Sequence, residues 1–151
     1  MEVLIRDTSD EVSLLGSQIV AQLLRRKPRC VLGLATGRTP LRLYRELIRL
    51  HQTEKLDFSQ VVTFNLDEYV GVPTRDEHSY RRYMDGRLFD KINIVKTNTH
   101  LLDGMAADLG KEVASYERRI EQAGGIDLQL LGIGEDGPPG ADGDAGLCPR
   151  R

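Results

Sequence analysis

Tryptophan is absent from the sequence, and aromatic residues make up only 5% of its 151 positions. A protein with so few aromatic side chains has little with which to stack nucleic-acid bases. Lysine and arginine number 21 against 23 aspartate and glutamate residues, which gives a net charge of -2. No basic field therefore attracts nucleic acid or an anionic membrane, and neither is predicted as a partner.

Cysteine is scarce as well. Cys30 and Cys148 have neither the spacing of a metal site nor that of a disulfide framework. The histidines occur singly, at His51, His78 and His100, without the spacing of metal ligands. The sequence therefore predicts no metal site.

Long apolar runs are missing too, since none approaches the roughly 20 residues of a membrane span. Residues 1–6 lack a basic region followed by an apolar signal core, so a cytoplasmic protein is predicted. Apolar residues at 40% and charged residues at 29% are typical of a globular protein. The length suffices for one domain with a core.

Short apolar runs alternate with segments of helical periodicity. The predicted strands lie at 3–5, 30–34, 61–66 and 126–133, and the predicted helices lie after residue 10, from 41 to about 51, at 78–89 and at 106–123. In the first helix, Val12, Leu15, Ile19 and Leu23 recur at helical spacing. This alternation predicts βαβ units and an α/β fold with a mainly parallel sheet.

A turn of small and polar residues, 35–40, follows the second apolar run. Thr39 is predicted to cap the next helix, with Pro40 at its first position. The N–H groups and hydroxyls of such a turn, beside a helix N-terminus, suit a phosphate or a carboxylate, and Arg38 either adds a contact or is solvated. An ordinary strand-to-helix turn fits equally well, and a Walker A motif is excluded because Gly-Lys-Ser/Thr is absent.

Acidic residues follow two further apolar runs, at Asp67 and at Asp136. A carboxylate at position 67, shielded by Phe64 and Tyr69, is expected to have a raised pKa and to serve as a general base. A solvated loop acid at 67 and an Asp-Gly turn at 136 are the alternatives.

Three loops are expected to converge, because the carboxyl ends of parallel strands meet at one edge of a sheet. These loops span residues 35–39, 67–73 and 134–137. Two acids beside an anion site predict proton transfer on a phosphorylated metabolite, such as an isomerisation.

Together the motifs resemble the glucosamine-6-phosphate deaminase (glucosamine-6-phosphate isomerase) family over residues 1–137. The resemblance is carried by Leu32-Gly33-Leu34-Ala35-Thr36-Gly37-Arg38-Thr39-Pro40, Thr63-Phe64-Asn65-Leu66-Asp67-Glu68-Tyr69-Val70-Gly71, His78-Ser79-Tyr80 and Leu131-Gly132-Ile133-Gly134-Glu135-Asp136-Gly137. It implies a Rossmann-like α/β fold, a mainly parallel sheet with helices on both faces, in a cytoplasmic homo-oligomer. The implied reaction converts glucosamine 6-phosphate and water to fructose 6-phosphate and ammonia, with no metal and no cofactor.

The resemblance also implies residue roles. The residues that would cradle the sugar phosphate are Thr36, Gly37, Arg38 and Thr39. Asp67 would be the base that moves a proton between C2 and C1 through an enediol-type intermediate. Asp136 would belong to an Asp/His/Glu group that assists ring opening.

Beyond residue 137 the sequence departs from the family. Pro138 and Gly143 stand where the family has its His and Glu, and residues 138–151 are predicted to be a disordered tail outside the family domain at 1–137. The expectation is a truncated or frame-shifted chain, with a sheet incomplete in its C-terminal half and impaired activity. A non-catalytic sugar-phosphate-binding module and a 6-phosphogluconolactonase-like hydrolase are the alternatives.

Overall fold

The computed structural model describes residues 3–132 and the backbone of Gly146–Cys148. In chain order the helices and strands of these residues are α1 (Ser9–Arg26), β1 (Val31–Leu34), α2 (Leu41–Glu54), β2 (Val62–Asn65), β3 (Asp67–Tyr69), α3 (Tyr80–Arg87), β4 (Thr99–His100), α4 (Leu109–Gln122), β5 (Leu128–Gln129) and β6 (Gly146–Cys148). The tail predicted to be disordered, 138–151, lies outside the described residues except for β6. Among the described helices, none is both long and apolar enough to cross a membrane.

The main sheet is parallel throughout, with the strand order β4-β2-β1-β5. Strands β2 and β4 are thus added on one side of β1, and β5 is added on its other side. This change of side is the topological switch point at which open α/β sheets bind ligands. The predicted mainly parallel α/β sheet is confirmed, and a small second sheet pairs β3 with β6.

Helices cover both faces of the main sheet, as predicted. Leu32 and Leu34 of β1 point into the larger core, which is formed with α1, α2 and α3. Val31, which alternation directs to the opposite face, packs with Phe64 of β2 and Tyr116 of α4. The side chains of β1 therefore divide the interior into two cores.

The first helix lies where the sequence predicts it, but it buries a different face. Thr8 and Glu11 form a capping box, in which each side chain accepts a hydrogen bond of 3.2 Å from the other residue's N–H group. The buried residues of α1 are Ser13, Ser17, Val20, Ala21 and Leu24. Val12 and Ile19 of the recurring apolar set are instead 52% and 44% exposed.

Several predicted boundaries need correction. The strand predicted at residues 3–5 is wrong, since these residues are exposed and lie in no strand. A strand forms only where a neighbouring strand can pair with its backbone N–H and C=O groups, and these residues have no such neighbour in the described part of the chain. Part of the loop predicted at 67–73 forms β3. The strand predicted at 126–133 pairs only at Leu128–Gln129. Ser79 and Asp108 cap α3 and α4, which therefore begin two to three residues later than predicted.

Two buried threonines, Thr63 in β2 and Thr99 in β4, are register partners with different hydrogen bonding. Thr99 Oγ1 donates to the Lys96 carbonyl at 2.7 Å and accepts from Arg81 Nη1 at 2.8 Å. Thr63 Oγ1 has no partner among the described residues. The pair offers a matched test of what an unpaired buried hydroxyl costs.

We expect Thr63→Val to raise the free energy of unfolding by about 1 kcal/mol, because the variant no longer buries an unpaired hydroxyl. Thr99→Val should lower it by about 1–3 kcal/mol, because Arg81 Nη1 loses its hydrogen-bond acceptor and the Lys96 carbonyl keeps only the Thr99 N–H group as its donor. Urea unfolding of both variants measures whether the free energy of unfolding rises in Thr63→Val and falls in Thr99→Val. A loss of stability in Thr63→Val equal to that in Thr99→Val would contradict the expectation.

Candidate active site

The predicted anion-binding turn, 35–39, follows β1 at the switch point of the sheet. Gly37 has φ +90°, a left-handed backbone conformation that residues with a side chain rarely adopt. Thr36 is half-buried, whereas Gly37, Arg38 and Thr39 are exposed. The turn therefore presents backbone groups, two hydroxyls and a guanidinium to the space beyond the sheet edge.

The turn leads into the N-terminus of α2, which no described side chain caps. The prediction that Thr39 caps this helix is wrong, because Pro40 occupies the cap position and already has helical backbone angles. A capping side chain requires an extended backbone at the cap residue, which Pro40 does not have. The N–H group of Leu41 donates to the Arg38 carbonyl at 3.4 Å. Because the first turn also carries no acidic residue, its remaining N–H groups and its partial positive charge are available to an anion.

Two tyrosines hold the turn by its backbone carbonyls. Tyr44 of α2 donates a hydrogen bond of 2.5 Å to the carbonyl of Ala35, and Tyr83 of α3 donates one of 2.5 Å to the carbonyl of Gly37. Burial raises the pKa of Tyr83 to about 12 and also raises the pKa of Tyr44. Both phenols therefore remain protonated donors at neutral pH and hold the turn in place.

Asp67 begins β3, immediately beyond the end of β2. Its carboxylate is half-buried and makes no hydrogen bond or ion pair within residues 3–132. Burial, followed by the negative charge of Glu68, raises the pKa of Asp67 from its ordinary 3.8 to about 6. A carboxyl group with this pKa is mostly ionised at pH 7 and is a better proton acceptor than an exposed aspartate.

Tyr80 of α3 brings Asp67 and the turn together. Its phenol lies close to the side chains of Tyr69 and Thr36 and within the field of the Asp67 charge. The centroids of the Tyr69 and Tyr80 rings are 4.7 Å apart, and the ring planes are inclined at 42°. Burial raises the pKa of Tyr80, and the neighbouring Tyr69 side chain and the Asp67 charge raise it further. Two of the three loops that were predicted to converge thus meet at this phenol.

The third predicted loop, 134–137, and Asp136 lie outside the described residues. The chain that leads to them passes beside the turn, since a Cβ atom on Gly132 would lie 3.4 Å from Cβ of Thr39. Within the described residues, no three His, Cys, Asp or Glu side chains form a group that could hold a metal ion. The ring of His100 stacks on that of Phe64, with the two ring centroids 4.7 Å apart.

Glu68, which follows Asp67 at the strand end, is a residue of the site to which the sequence assigned no role of its own. It is 1% exposed, and its carboxylate accepts three backbone hydrogen bonds, from Tyr69 at 2.9 Å, Tyr80 at 2.9 Å and Arg81 at 3.2 Å. Its partners on α3 are 12 and 13 residues away in the chain. The local signal was the pair of acidic residues, Asp67 and Glu68, directly after the apolar run 61–66.

The sequence matches the family of glucosamine-6-phosphate isomerases/6-phosphogluconolactonase over residues 6–137. It is 48% identical over 137 residues to a glucosamine-6-phosphate deaminase of Clostridium tetani, a match that covers 91% of this chain and 57% of that protein. It is 53% identical over 118 residues to glucosamine-6-phosphate deaminase 1 of Giardia intestinalis, a match that covers 78% of this chain and 44% of that protein. The chain spans about half the length of the curated relatives that it matches.

Solved structures agree with the sequence match. The chain is similar to a monomeric glucosamine-6-phosphate deaminase with a TM-score of 0.87 at 45% identity, covering 89% of this chain and 56% of that one. It is similar to a 6-phosphogluconolactonase of Thermotoga maritima with a TM-score of 0.70 at 28% identity, covering 88% and 59%. The predicted resemblance is confirmed, and the chain belongs to the glucosamine-6-phosphate isomerase/6-phosphogluconolactonase family.

Proposed function

We propose that this chain binds glucosamine 6-phosphate and moves a proton between C2 and C1 of the sugar, the isomerising part of the deaminase reaction. The observation that supports this most directly is the meeting of Thr36 and Asp67 at Tyr80, beside the switch point of the sheet. An anion-binding turn and a weakly acidic carboxyl group then lie beside the same tyrosine side chain. The proposed location is the cytoplasm, because a sugar phosphate does not cross membranes unaided.

The phosphate would be held by the turn. The N–H groups and hydroxyls of Thr36, Gly37 and Thr39, together with the uncapped N-terminus of α2, match the charge and the acceptor atoms of a phosphate. Arg38 adds a positive charge from an exposed position. Such binding would fix the sugar at its C6 end and direct C1 and C2 toward Asp67.

The proton transfer would be carried out by Asp67. It removes the proton from C2 of the open-chain sugar, and the electrons of that bond form an enediol-type intermediate as the C1 carbonyl oxygen takes a proton from water. Asp67 then returns its proton to C1, which leaves an imine at C2. Water hydrolyses this imine to the ketone of fructose 6-phosphate and releases ammonia.

Ring opening is expected to limit the overall reaction. The resemblance assigns this step to a group containing Asp136, together with a His and a Glu that are replaced in this sequence by Pro138 and Gly143. We therefore propose slow ammonia release, with proton exchange on the small open-chain fraction of the sugar. Homo-oligomer formation is a further prediction from the resemblance, while one similar structure is that of a monomeric deaminase.

Proton NMR in D₂O tests the proposal. Incubation with glucosamine 6-phosphate should replace the C2 hydrogen with deuterium, and a coupled ammonia assay should show slower release than a deaminase of the family gives. Glucosamine without the phosphate should show neither binding nor exchange. Binding without exchange would favour a non-catalytic sugar-phosphate-binding module, and the absence of both would contradict the proposal.

A lactonase is the second candidate, favoured by the similarity to the Thermotoga maritima enzyme. If this chain hydrolyses 6-phosphogluconolactone and shows no hydrogen exchange at C2 of glucosamine 6-phosphate, the lactonase function is supported over the deaminase function. The higher identity to the deaminases, 48% against 28%, makes the deaminase chemistry the better supported one.

A further inference from the structure

Glu68 occupies an unusual position for a carboxylate, because it is buried and its hydrogen-bond partners within the described residues are all backbone N–H groups. A buried carboxylate is stable when several N–H groups bind it, and here three do. One of these groups belongs to Tyr69, the next residue in the sequence, and the other two belong to Tyr80 and Arg81 in the first turn of α3. Glu68 therefore fastens the start of α3 to the strand that carries Asp67.

The first turn of α3 is closed by these contacts. Arg82 donates its backbone N–H to Ser79 Oγ at 3.0 Å, and the N–H groups of Tyr80 and Arg81 are taken by Glu68. Ser79 Oγ in turn donates to the Thr74 carbonyl at 3.0 Å. This helix end consequently has no free N–H group for a ligand, and its contacts serve to position the helix.

The helix that Glu68 fastens is also the one that contacts the anion-binding turn. Tyr80, whose N–H group Glu68 binds, reaches Thr36 with its phenol. Tyr83, one turn further along α3, binds the carbonyl of Gly37. Helix α3 thus connects Glu68 to two adjacent residues, Thr36 and Gly37, of the turn that would hold the phosphate.

We infer that Glu68 is the positioning residue of this site: by binding the first turn of α3 it fixes the anion-binding turn at a set distance from Asp67. The inference rests on the proposed function for its meaning in catalysis. Asp67 would carry out the proton transfer, and Glu68 would act only through α3 and through its charge beside Asp67. The side chain of Glu68 is not expected to touch the substrate.

The test is Glu68→Gln in the full chain. The glutamine Oε1 can still accept from Tyr69 and Tyr80, but its amide nitrogen replaces the acceptor of Arg81 and cannot accept. We expect calorimetry to show binding of glucosamine 6-phosphate weakened about tenfold relative to the parent chain. We also expect carbon NMR to show the Asp67 carboxyl titrating about one pH unit lower, because a neighbouring negative charge has been removed.

Glu77→Gln is the matched control, because Glu77 is exposed and lies just before α3. It removes the same charge and should change neither the affinity nor the Asp67 titration. Tyr80→Phe is the second variant, since it keeps the N–H group that Glu68 binds and removes the phenol that reaches Thr36. It should also weaken binding of glucosamine 6-phosphate.

The outcomes separate the inference from the proposed function. A folded Glu68→Gln chain with unchanged affinity and unchanged Asp67 titration would overturn the positioning role. If that variant fails to fold, parental affinity in Tyr80→Phe would overturn it instead. If the parent chain does not bind glucosamine 6-phosphate, the proposed function fails, and the Asp67 titrations of the two glutamine variants still decide the role of Glu68.

Discussion

Asp67→Asn is expected to abolish deuterium exchange at C2 of glucosamine 6-phosphate while leaving its binding close to that of the parent chain. Asparagine has nearly the same shape as aspartate but cannot take up the proton, and the loss of a general base lowers a rate by about 10²–10⁴-fold. Proton NMR in D₂O measures the exchange, and calorimetry measures the binding. Exchange at the parental rate would show that Asp67 is not the base.

The same variant is expected to be more stable than the parent at pH 8. Burial raises the pKa of Asp67 from 3.8 to about 6, so the ionised carboxylate is less favourable in the folded chain than in the unfolded one. This destabilisation is fully present above pH 6 and is lost as the pH falls toward 4, where Asp67 is protonated in the folded chain. A pKa raised this far corresponds to about 3 kcal/mol, and partial solvent contact reduces the expected gain to about 1–2 kcal/mol.

Urea unfolding at pH 8 and at pH 4 measures this difference, which should be large at pH 8 and small at pH 4. Asp57→Asn is the matched control with the opposite sign. Hydrogen bonds from the Ser59 N–H group, the Asn93 amide and the Ser59 hydroxyl hold the pKa of Asp57 below its ordinary value, so that its ionised form stabilises the fold. A lower stability of Asp67→Asn than of the parent at pH 8 would contradict the expected cost of the buried carboxylate.

Gly104→Ala is expected to lower the free energy of unfolding by about 2–3 kcal/mol. A Cβ atom at position 104 would lie 2.0 Å from the carbonyl oxygen of Tyr69, and Gly71 donates a hydrogen bond of 2.8 Å to the carbonyl of Gly104. The clash is with backbone, which cannot rotate away as a side chain can, so the segment after β3 must shift. Because that segment continues directly from Asp67, binding of glucosamine 6-phosphate should weaken as well.

Gly86→Ala is the control for this substitution. Gly86 lies in α3, and a Cβ atom there would meet nothing within 4 Å. We expect a gain of about 0.5–1 kcal/mol, because alanine restricts the unfolded chain and favours the helix. The thermal and urea unfolding midpoints should therefore fall in Gly104→Ala and rise in Gly86→Ala. Equal changes in the two variants would refute the close approach at Gly104.

Much of the fold follows from local patterns in the sequence. The capping box at Thr8 and Glu11, the paired glycines after α4 with φ of 92° and 83°, and the apolar strands β1 and β2 are each encoded within a few neighbouring residues. Parallel pairing follows from the alternation of strands and helices, and it places the ends of β1 and β2 side by side. For this reason the turn at 35–39 and Asp67 were predicted to lie at one edge of the sheet.

Other features depend on partners that a local pattern does not reveal. In α1, Val20, Ala21 and Leu24 are buried with small serines, so the helix packs closely through that face, and Val12 and Ile19 are left outward. Thr39 does not cap α2, because Pro40 lies at the cap position with helical backbone angles. A propensity states what a residue favours, and the packing of its surroundings decides whether that preference is realised.

By itself the sequence determined the alternation of the main strands and helices, the family, and the two segments that supply the proposed phosphate cradle and the base, because each of these is written in consecutive residues. The tertiary structure decided how those segments are joined. Glu68 binds amides 12 and 13 residues further along the chain, and Tyr80 and Tyr83 carry that contact to Thr36 and Gly37. Burial against these neighbours, which depends on the packed chain, also sets the pKa of Asp67 near 6.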